Sequence, residues 1–520
     1  MKICHIIAAV LALCCTALGY VKYIHIFQLH SYKMPEQLKW TWKNPGKLLP
    51  HWIALILGLI LIFAHNVPML IIAIVFYLIA ALAVKPPKKA KKPLVFTPRV
   101  IRMTVTAAIL TLLLWQFSFT LPIGLRYAVP AFVFALTPLL PVAANWINRP
   151  IEKSIQQGFI RDAQRMLREC PDLKIIGITG SYGKTSVKYF LNTLLKSHFN
   201  VLMTPASFNT PMGVVKTVRE QLRPTHEIFI CEMGARRAGE IKELCDIADP
   251  DYGIVTSIGP QHLETFRSIN TIIETKFALA DAVAQKGKGV CFVNADNEYI
   301  RAHSAEHGDN IPYGMSADCA YYADNLSVSH EGTRFDLHTP DGRVLEGLET
   351  TLIGAHNAVN LAGAIGMALH LGVTEQEIRM QLRKLTAPPH RLELKQNGAV
   401  TIIDDAYNSN PSGSSAALDA LEMFPDCKIL ITPGMVELGA LQDTLNTAFG
   451  LHAARVCDYI VLVGEKQAEP IRRGIEEGGF DMSRVTVTHT VEEAIAYAYG
   501  IQTDKRKVIL LENDLPDNYL

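Results

Sequence analysis

The chain has 520 residues, a length that suggests three or more domains. Its 50 Lys and Arg residues nearly balance its 49 Asp and Glu residues, so the net charge of +1 gives no reason to expect a nucleic-acid-binding protein. The 10 Cys residues form no CxxC pair, which argues against a zinc site or a disulfide framework and is typical of a reducing compartment. The mean hydropathy of +0.18 is high for a soluble enzyme.

Residues 1–147 account for this hydropathy, because they contain five apolar segments and all five Trp residues. The segments are 6–20, the two arms of a hairpin within 52–84, 100–121 and 127–147. Because roughly 20 apolar residues span a bilayer, the pattern predicts a membrane domain with about five transmembrane helices. Two alternatives remain open: segment 6–20 has the length of a signal peptide, and any single segment has the composition of a buried core helix.

Basic residues are unevenly distributed among the loops of this region. Loops 21–50 and 85–102 are rich in Lys and Arg, whereas 65–68 and 122–126 contain only Arg126. The positive-inside rule therefore places the two basic loops, and everything that follows the fifth span, in the cytoplasm. We expect a multi-pass protein of the cytoplasmic membrane. The basic run 85–92 is also expected to contact anionic membrane lipids. The alternative is that its charges serve only as a topology signal.

Residues 148–174 repeat apolar side chains at helical spacing up to Pro171. This pattern predicts an amphipathic linker helix. Whether the helix lies along the membrane surface or packs on the following domain remains open at this stage.

A strand-like run that begins at Ile175 leads into a glycine-rich loop and then a helical pattern. Glycines recur three apart in GxxGxxGKT, and the strict P-loop spacing would require Gly where the chain has Ile178. Backbone amides of such a loop bind phosphate, Lys184 would reach the β- and γ-phosphates, and Thr185 would hold Mg²⁺. A simple turn between strand and helix is the alternative. The residues predicted to bind nucleotide here are Gly180, Ser181, Gly183, Lys184, Thr185 and Ser186.

Strand-like and helical patterns alternate after this loop, which predicts a mainly parallel sheet with helices on both faces. Glu232 follows the strand-like run 226–231, and His262 follows the run 253–258. Ligands bind at the carboxyl ends of parallel strands, so both side chains are candidates for an Mg²⁺ site beside the phosphate loop. A structural role is the alternative for a single His.

Six motifs in this order resemble those of the Mur ligase family, whose members form amide bonds in peptidoglycan precursors. The motifs are the glycine-rich loop, Glu232–Ala235, Gly259–Glu264, Gly354–Asn360, Ile403–Pro411 and Gly434–Gly439. The resemblance covers residues 150–520 and is greatest to the branch that adds D-alanyl-D-alanine to a UDP-muramyl tripeptide. It implies an ATP-binding P-loop domain over 175–390 and a smaller Rossmann-like domain over 391–520, following the α-helical membrane domain.

The resemblance also implies roles for individual residues. Lys184, Lys276 and His262 are the implied catalytic residues, with Lys276 at the position that the family carbamylates with CO₂. Thr185, Glu232 and His262 are the implied metal ligands. The further nucleotide-binding positions are Asn294, His356, Asn357, Arg391 and Asp405, and the implied substrate-binding positions are Asn209, Thr210, Tyr407 and Asn408. The family usually has Gly before the hinge arginine, where this chain has His390.

The implied activity is ATP-dependent ligation of a carboxylate to an amine through an acyl phosphate, with ATP and Mg²⁺ as cofactors. Soluble family members begin with a domain that binds the UDP-sugar, whereas this chain has apolar segments there. We therefore expect a lipid-linked peptide or another membrane-associated polymer precursor as acyl donor, at the cytoplasmic face of the membrane, with the UDP-linked peptide as the open alternative. An amine is the second substrate, and cell-wall synthesis proteins are the expected partners. Two alternatives are a membrane-anchored ligase for polyglutamate or another amino-acid polymer, and a nucleotide-binding scaffold without activity.

Overall fold

The chain forms two compact units, Met1–Gly158 and Phe159–Leu520. The computed structural model describes residues 2–85, 93–206, 208–407, 409–436 and 438–513. Most of the basic run 85–92 and the predicted substrate residue Asn408 lie outside these described residues.

The first unit is built from α-helices. They are α1 (Lys2–Leu29), α2 (Met34–Lys43), α3 (Leu49–Phe63), α4 (Val67–Ala83), α5 (Pro98–Ser118), α6 (Ile123–Ala135) and α7 (Leu140–Arg168). Helices α3 and α4 correspond to the two arms of the predicted hairpin. One prediction differs from the structure: the linker helix expected after residue 147 is the second half of α7, and the boundary between the two units lies within that helix.

Three helices within the described residues are long and apolar enough to cross a membrane, namely Lys2–Leu29, Pro45–Phe63 and Pro98–Ser118. The pair Ile123–Ala135 and Thr137–Arg168, bent by 51°, adds a fourth if it is counted as one broken span. Helix α4 is apolar, but its 17 residues are short for a span. Length alone therefore supports three or four spans, fewer than the five predicted from composition.

Small residues allow these helices to approach one another closely. A Cβ atom on Gly58 of α3 would lie 2.6 Å from the ring of Phe132 of α6, and one on Gly124 would lie 2.1 Å from the carbonyl oxygen of Ile62. Large apolar side chains of α5 instead point outward. The exposed ones are Ile101, Val105, Ile109, Leu112, Leu113, Leu114 and Phe117. Small residues inside and large ones outside are the arrangement of helices that pack within a lipid phase.

The break between α6 and α7 has an identifiable cause. Pro138 has no backbone N–H, so the carbonyl of Phe134 four residues earlier loses its helical partner. His51 of α3 replaces that partner, since its Nδ1 lies 3.0 Å from the Phe134 oxygen. The other ring nitrogen, Nε2, lies 2.8 Å from the hydroxyl of Tyr23. Both nitrogens of this buried imidazole are thus used to join three helices around the bend.

The second unit is an α/β structure. Its elements are β1 (Lys174–Thr179), α8 (Lys184–Leu195), β2 (Val201–Met203), α9 (Pro211–Gln221), β3 (Ile228–Glu232), α10 (Glu240–Ala248), β4 (Tyr252–Val255), α11 (Leu263–Phe266), α12 (Ile269–Lys286), β5 (Cys291–Asn294), α13 (Glu298–His303), β6 (Asn310–Gly314), β7 (Tyr321–Ser329), β8 (Gly332–His338), β9 (Val344–Thr350), α14 (His356–His370), α15 (Glu375–Leu382), β10 (Glu393–Asn397), β11 (Val400–Asp405), α16 (Pro411–Glu422), β12 (Cys427–Thr432), α17 (Gln442–Val456), β13 (Tyr459–Val463), α18 (Glu465–Glu477), β14 (Val485–Thr488), α19 (Val491–Gly500) and β15 (Lys507–Glu512).

Nine strands form the larger sheet in the order β2-β3-β1-β4-β5-β6-β7-β8-β9. The strands from β2 to β7 pair in parallel, and β7, β8 and β9 pair antiparallel. The prediction of a mainly parallel sheet is therefore confirmed, and β7, β8 and β9 add an antiparallel edge to it. One buried cluster packs α8, α14 and α15 against one face, and a second packs α9, α10 and α12 against the other.

Six strands form the smaller sheet in the order β10-β11-β15-β12-β13-β14. Only β10 pairs antiparallel, with β11, and the other pairs are parallel. The last strand, β15, inserts between β11 and β12. The carboxyl ends of β11 and β15 therefore lie side by side, with Asp405 opposite Glu512.

Replacing His51 with Phe tests the account of the helix break. The variant leaves the Phe134 carbonyl and the Tyr23 hydroxyl buried without their partner, so the free energy of unfolding should fall by about 1–3 kcal/mol for each group. Trp fluorescence in detergent measures this, because every Trp lies in the first unit. Trp52→Phe, a change at a neighbouring exposed side chain, is the control. Equal stability of His51→Phe and wild type would contradict the account.

Candidate active site

The glycine-rich loop joins β1 to α8 in a conformation that side chains would prevent. Gly180 has φ +153°, and a Cβ atom there would lie 2.1 Å from Thr256 Oγ1 at the end of β4. Gly183 has φ +80° and precedes the first turn of α8, where no side chain among the described residues caps the helix. Lys184, Thr185 and Ser186 form that first turn, so their amides are at the end of the helix that attracts phosphate.

The loop is held against the segment that follows β4. The Ser181 hydroxyl donates to the Gly259 carbonyl over 3.1 Å and accepts from the Gly259 amide over 3.0 Å, and the Ser181 amide donates to the Ser257 carbonyl. The Tyr182 amide donates to Ser257 Oγ over 2.8 Å. Ser181 therefore shapes the loop in this state, and its predicted contact with nucleotide remains a prediction.

Lys184 lies over its own loop. Its ammonium donates to the carbonyls of Gly180 and Ser181 over 2.5 and 2.9 Å. Burial lowers the pKa of Lys184 to about 8, with Glu232 acting against this shift and Arg391 adding to it. The ammonium is thus held by weak acceptors that phosphate oxygens can replace.

Glu232 lies at the end of β3, and its side chain is only 1% exposed. One of its oxygens, Oε1, accepts from Thr185 Oγ1 over 3.2 Å and from Asn209 Nδ2 over 3.0 Å. Burial alone would raise the pKa of Glu232, but Lys188 and Lys184 outweigh burial and hold the pKa below its usual value. A carboxylate oxygen beside a hydroxyl oxygen is a donor pair that suits Mg²⁺, so these residues fit the predicted metal site.

The sequence prediction missed Lys188. This lysine is fully buried on α8, and its Nζ lies 3.0 Å from Glu232 Oε2. Its position between the apolar residues Val187 and Phe190 of a predicted helix could have indicated a buried lysine. A charged residue at such a core position requires a partner of opposite charge.

Two further predicted catalytic residues, Lys276 and His262, lie on or beside the helices that follow β4. Lys276 is 2% exposed within α12, and burial, helped by Lys184, lowers its pKa well below the usual value. Because the Lys184 charge contributes to this lowering, Lys276 lies near the phosphate loop. His262 has φ +56° just before α11, at the end of the segment that holds Ser181. Its predicted metal contact remains a prediction.

Several predicted nucleotide and substrate residues make structural contacts. Asn294 Nδ2 donates to the Thr256 carbonyl over 2.8 Å, and Asn357 Nδ2 donates to the Ile353 carbonyl over 2.7 Å. Thr210 caps α9 by accepting from the Gly213 amide. His356 begins α14, and Asn360 one turn later faces the phosphate loop, because its Oδ1 is 3.0 Å from the Cβ position of Gly183. Asn360 ends the motif Gly354–Asn360, but the sequence prediction did not include it among the site residues.

The hinge between the two sheets contains two strained residues. His390 has φ +59° and Leu392 has φ +49°, in the region that favours glycine. This explains why the family usually has Gly before the hinge arginine. The His390 ring offsets the strain by contacting Asp404 Oδ2 over 2.8 Å, and Lys395 Nζ binds the same oxygen over 2.5 Å. His390, Glu393 and Asp404 lie close enough for a metal, but the Lys395 ammonium already pairs with both carboxylates.

Arg391 and Asp405 lie near each other at this hinge, and their predicted contacts with nucleotide remain predictions. The Arg391 guanidinium lies over the exposed Tyr407 ring at 4.8 Å, and Arg391 acts electrostatically on both Lys184 and Asp405. Asp405 Oδ1 accepts from the Leu392 amide over 3.1 Å. The hinge arginine is therefore near the phosphate loop in this conformation.

The sequence prediction also missed Glu512, which lies beside Asp405 across β11 and β15. Glu512 is 1% exposed, and Ser409 Oγ donates to its Oε1 over 2.6 Å. Burial and the Asp405 charge raise the pKa of Glu512 well above its usual range, and burial also raises the pKa of Asp405. The raised pKa values therefore favour one proton held between the two carboxyl groups.

Comparisons with known proteins agree on one family. The model of the Mur ligase middle domain matches residues 178–368, and the model of the Mur ligase glutamate ligase domain matches residues 390–512. UDP-N-acetylmuramoyl-tripeptide–D-alanyl-D-alanine ligase from Escherichia coli (strain K12) is 28% identical over 62% of this chain and 72% of its own length.

The enzyme of the same name from Bacillus subtilis (strain 168) is 31% identical over 53% of this chain and 59% of its own length. The chain thus spans less than two thirds of the Bacillus relative. Among solved structures, MurF from Acinetobacter baumannii superimposes with a TM-score of 0.61 at 26% identity, covering 69% of this chain and 77% of that chain.

Replacing Glu512 with Gln tests the shared proton. Because the folded pKa of Glu512 is raised, the native state binds more protons than the unfolded state above about pH 4.3, and this group's stabilisation is lost as pH rises through the folded pKa. The melting temperature of Glu512→Gln should exceed that of wild type at pH 8, and the difference should shrink toward pH 5. Differential scanning calorimetry measures these melting temperatures. The transition of the second unit is the one that Trp fluorescence does not follow, because this unit contains no Trp. Exposed Glu422→Gln is the control, and parallel curves for wild type and Glu512→Gln would contradict the shared proton.

Proposed function

The chain belongs to the Mur ligase family, and we propose that it is an ATP-dependent ligase that adds a dipeptide or an amino acid to a peptidoglycan precursor. The observation that carries this proposal is the meeting of Lys184, Thr185, Glu232 and Asn209 at the carboxyl ends of β1 and β3. A phosphate loop beside a buried carboxylate is a site for a nucleotide triphosphate with its metal.

In the first step a substrate carboxylate attacks the γ-phosphate of ATP, and the products are an acyl phosphate and ADP. Both reactants are anions, so their approach requires positive charge. Lys184 leaves the carbonyls of Gly180 and Ser181 and donates to the phosphate oxygens instead. Thr185 and Glu232 would hold Mg²⁺, which supplies further charge neutralisation when bound.

In the second step an amine attacks the acyl carbon, phosphate leaves, and an amide bond forms. Water would hydrolyse the same acyl phosphate, so the site must exclude it. Arg391, on the hinge between the sheets, is close enough to the phosphate loop for its charge to lower the pKa of Lys184, so a phosphate anion between the two cations would attract both. Asn209 donates its amide to Glu232 and orients the substrate loop beside the reacting groups.

Lys276 is the residue that we propose is carbamylated. Burial disfavours its ammonium form, so a neutral amine is available to attack CO₂ and give a carbamate and a proton. A carbamate would replace a second lysine charge near Lys184 with an anion. Incubation with ¹³C-bicarbonate should give a carbamate carbonyl signal in NMR spectra of wild type. The signal should be absent from Lys276→Met, and its presence there would assign the modification to another residue.

The relatives' names support D-alanyl-D-alanine as the amine and a muramyl peptide as the acyl donor. The first unit supports an acyl donor at the cytoplasmic face of a membrane, because its helices expose large apolar side chains. Its basic loops follow the positive-inside pattern if the short helix α4 crosses the membrane as well. The donor in this proposal is lipid-linked, and the UDP-linked precursor is the alternative.

ADP release by the full-length protein in detergent tests the activity. ADP release should require both a muramyl peptide and an amine, and Lys184→Ala should lower the rate by about 100-fold or more. Lys196→Ala, at an exposed lysine just after the same helix, is the control. ADP release that ignores every amine and persists in Lys184→Ala would contradict the ligase. Full turnover of the UDP-peptide, with none of the lipid-linked peptide, would contradict the lipid-linked donor.

Fractionation of cells tests the membrane location. The protein should remain in the membrane pellet after alkaline carbonate washing, because its apolar helices are held by lipid rather than by surface charge. Protease added outside spheroplasts should leave the second unit intact. Recovery of the protein in the soluble fraction would contradict the proposed location.

A further inference from the structure

Lys188 is a cation enclosed in the protein behind the predicted metal ligand. Its side chain has no exposed surface, and its Nζ lies 3.0 Å from Glu232 Oε2. It follows Lys184 by one helical turn on the same side of α8. Lys184 is at the start of the helix beside the phosphate loop, and Lys188 lies one turn deeper in the core. A buried ammonium is costly unless it is paired, and Glu232 provides the pairing.

The two oxygens of Glu232 have separate surroundings. Oε2 faces Lys188, whereas Oε1 faces Thr185 and Asn209. A partial rotation of the carboxylate would move Oε2 away from Lys188 and Oε1 away from Thr185 and Asn209. Lys188 therefore fixes the carboxylate orientation in which one oxygen is directed to the hydroxyl that would share Mg²⁺.

Lys188 also binds the loop between β2 and α9. Its Nζ donates to the carbonyl of Ala206, a residue with φ +40°. The loop is joined to β3 on both sides of this point, because Thr204 Oγ1 accepts from the Glu232 amide and the Asn209 carbonyl accepts from the Gly234 amide. One ammonium group thus links the phosphate-loop helix, the end of β3 and the loop that carries Asn209.

We propose that Lys188 is a positioning residue that directs Glu232 Oε1 toward Mg²⁺ and sets the loop that carries Asn209. This inference rests on the proposed function, since it concerns the metal of the nucleotide site. Lys188 touches no substrate in this role and acts through Glu232.

Binding of a non-hydrolysable ATP analogue tests the role apart from turnover. Calorimetry with full-length protein in detergent compares binding with Mg²⁺ and with EDTA. Lys188→Met should weaken the Mg²⁺-dependent binding by about 10- to 100-fold, the effect expected for a residue that orients a metal ligand, and should leave binding in EDTA unchanged. Lys196→Met, the same change at an exposed lysine after this helix, should behave as wild type. Unchanged Mg²⁺ dependence in Lys188→Met would overturn the inference.

A double variant keeps the test decisive if Lys188→Met does not fold, because Lys188→Met with Glu232→Gln removes both buried charges together. If Lys188 acts through Glu232, the double variant should show the Mg²⁺ dependence of Glu232→Gln alone. A further loss beyond Glu232→Gln would overturn the inference. Failure of the wild-type protein to bind the analogue with Mg²⁺ would instead contradict the proposed function, so the two failures are distinguishable.

Discussion

A single buried carboxylate determines the construction of the nucleotide site. Glu232 is 1% exposed at the end of β3, and an isolated charge there would destabilise the fold. Two lysines and two hydrogen-bond donors surround it, each supplied by a helix or loop at the same edge of the sheet. The need to stabilise this charge brings α8, β3 and the loop that carries Asn209 to one point, and that point is where a phosphate-bound metal would sit.

The smaller sheet solves the same problem differently. Asp405 and Glu512 also lie at the carboxyl ends of adjacent parallel strands, yet no lysine stands between them among the described residues. Their raised pKa values favour a shared proton in place of the cation. The hinge beside them carries a third solution, in which the Lys395 ammonium pairs with Asp404. The His390 ring contacts the same carboxylate, and its backbone is in a left-handed conformation.

The first unit follows packing rules of another kind. Gly58 and Gly124 allow backbones to approach, and large apolar side chains point away from the protein. Where Pro138 removes a helical hydrogen bond, the His51 ring restores it from a neighbouring helix. The backbone carbonyl that the proline leaves without its helical partner is thus satisfied from within the unit.

The sequence by itself determined the features that depend on local pattern. The alternation of strand-like and helical patterns indicated the parallel sheet. The spacing of Gly180, Gly183 and Lys184 indicated the phosphate loop, because the loop follows from backbone geometry over a few residues. Only the tertiary structure decided which distant side chains meet. Lys188 and Glu232 are 44 positions apart, and Asp405 and Glu512 are joined only because β15 returns to lie beside β11. Periodicity does not encode such pairings, since they arise from strand order and from the cost of burying charge.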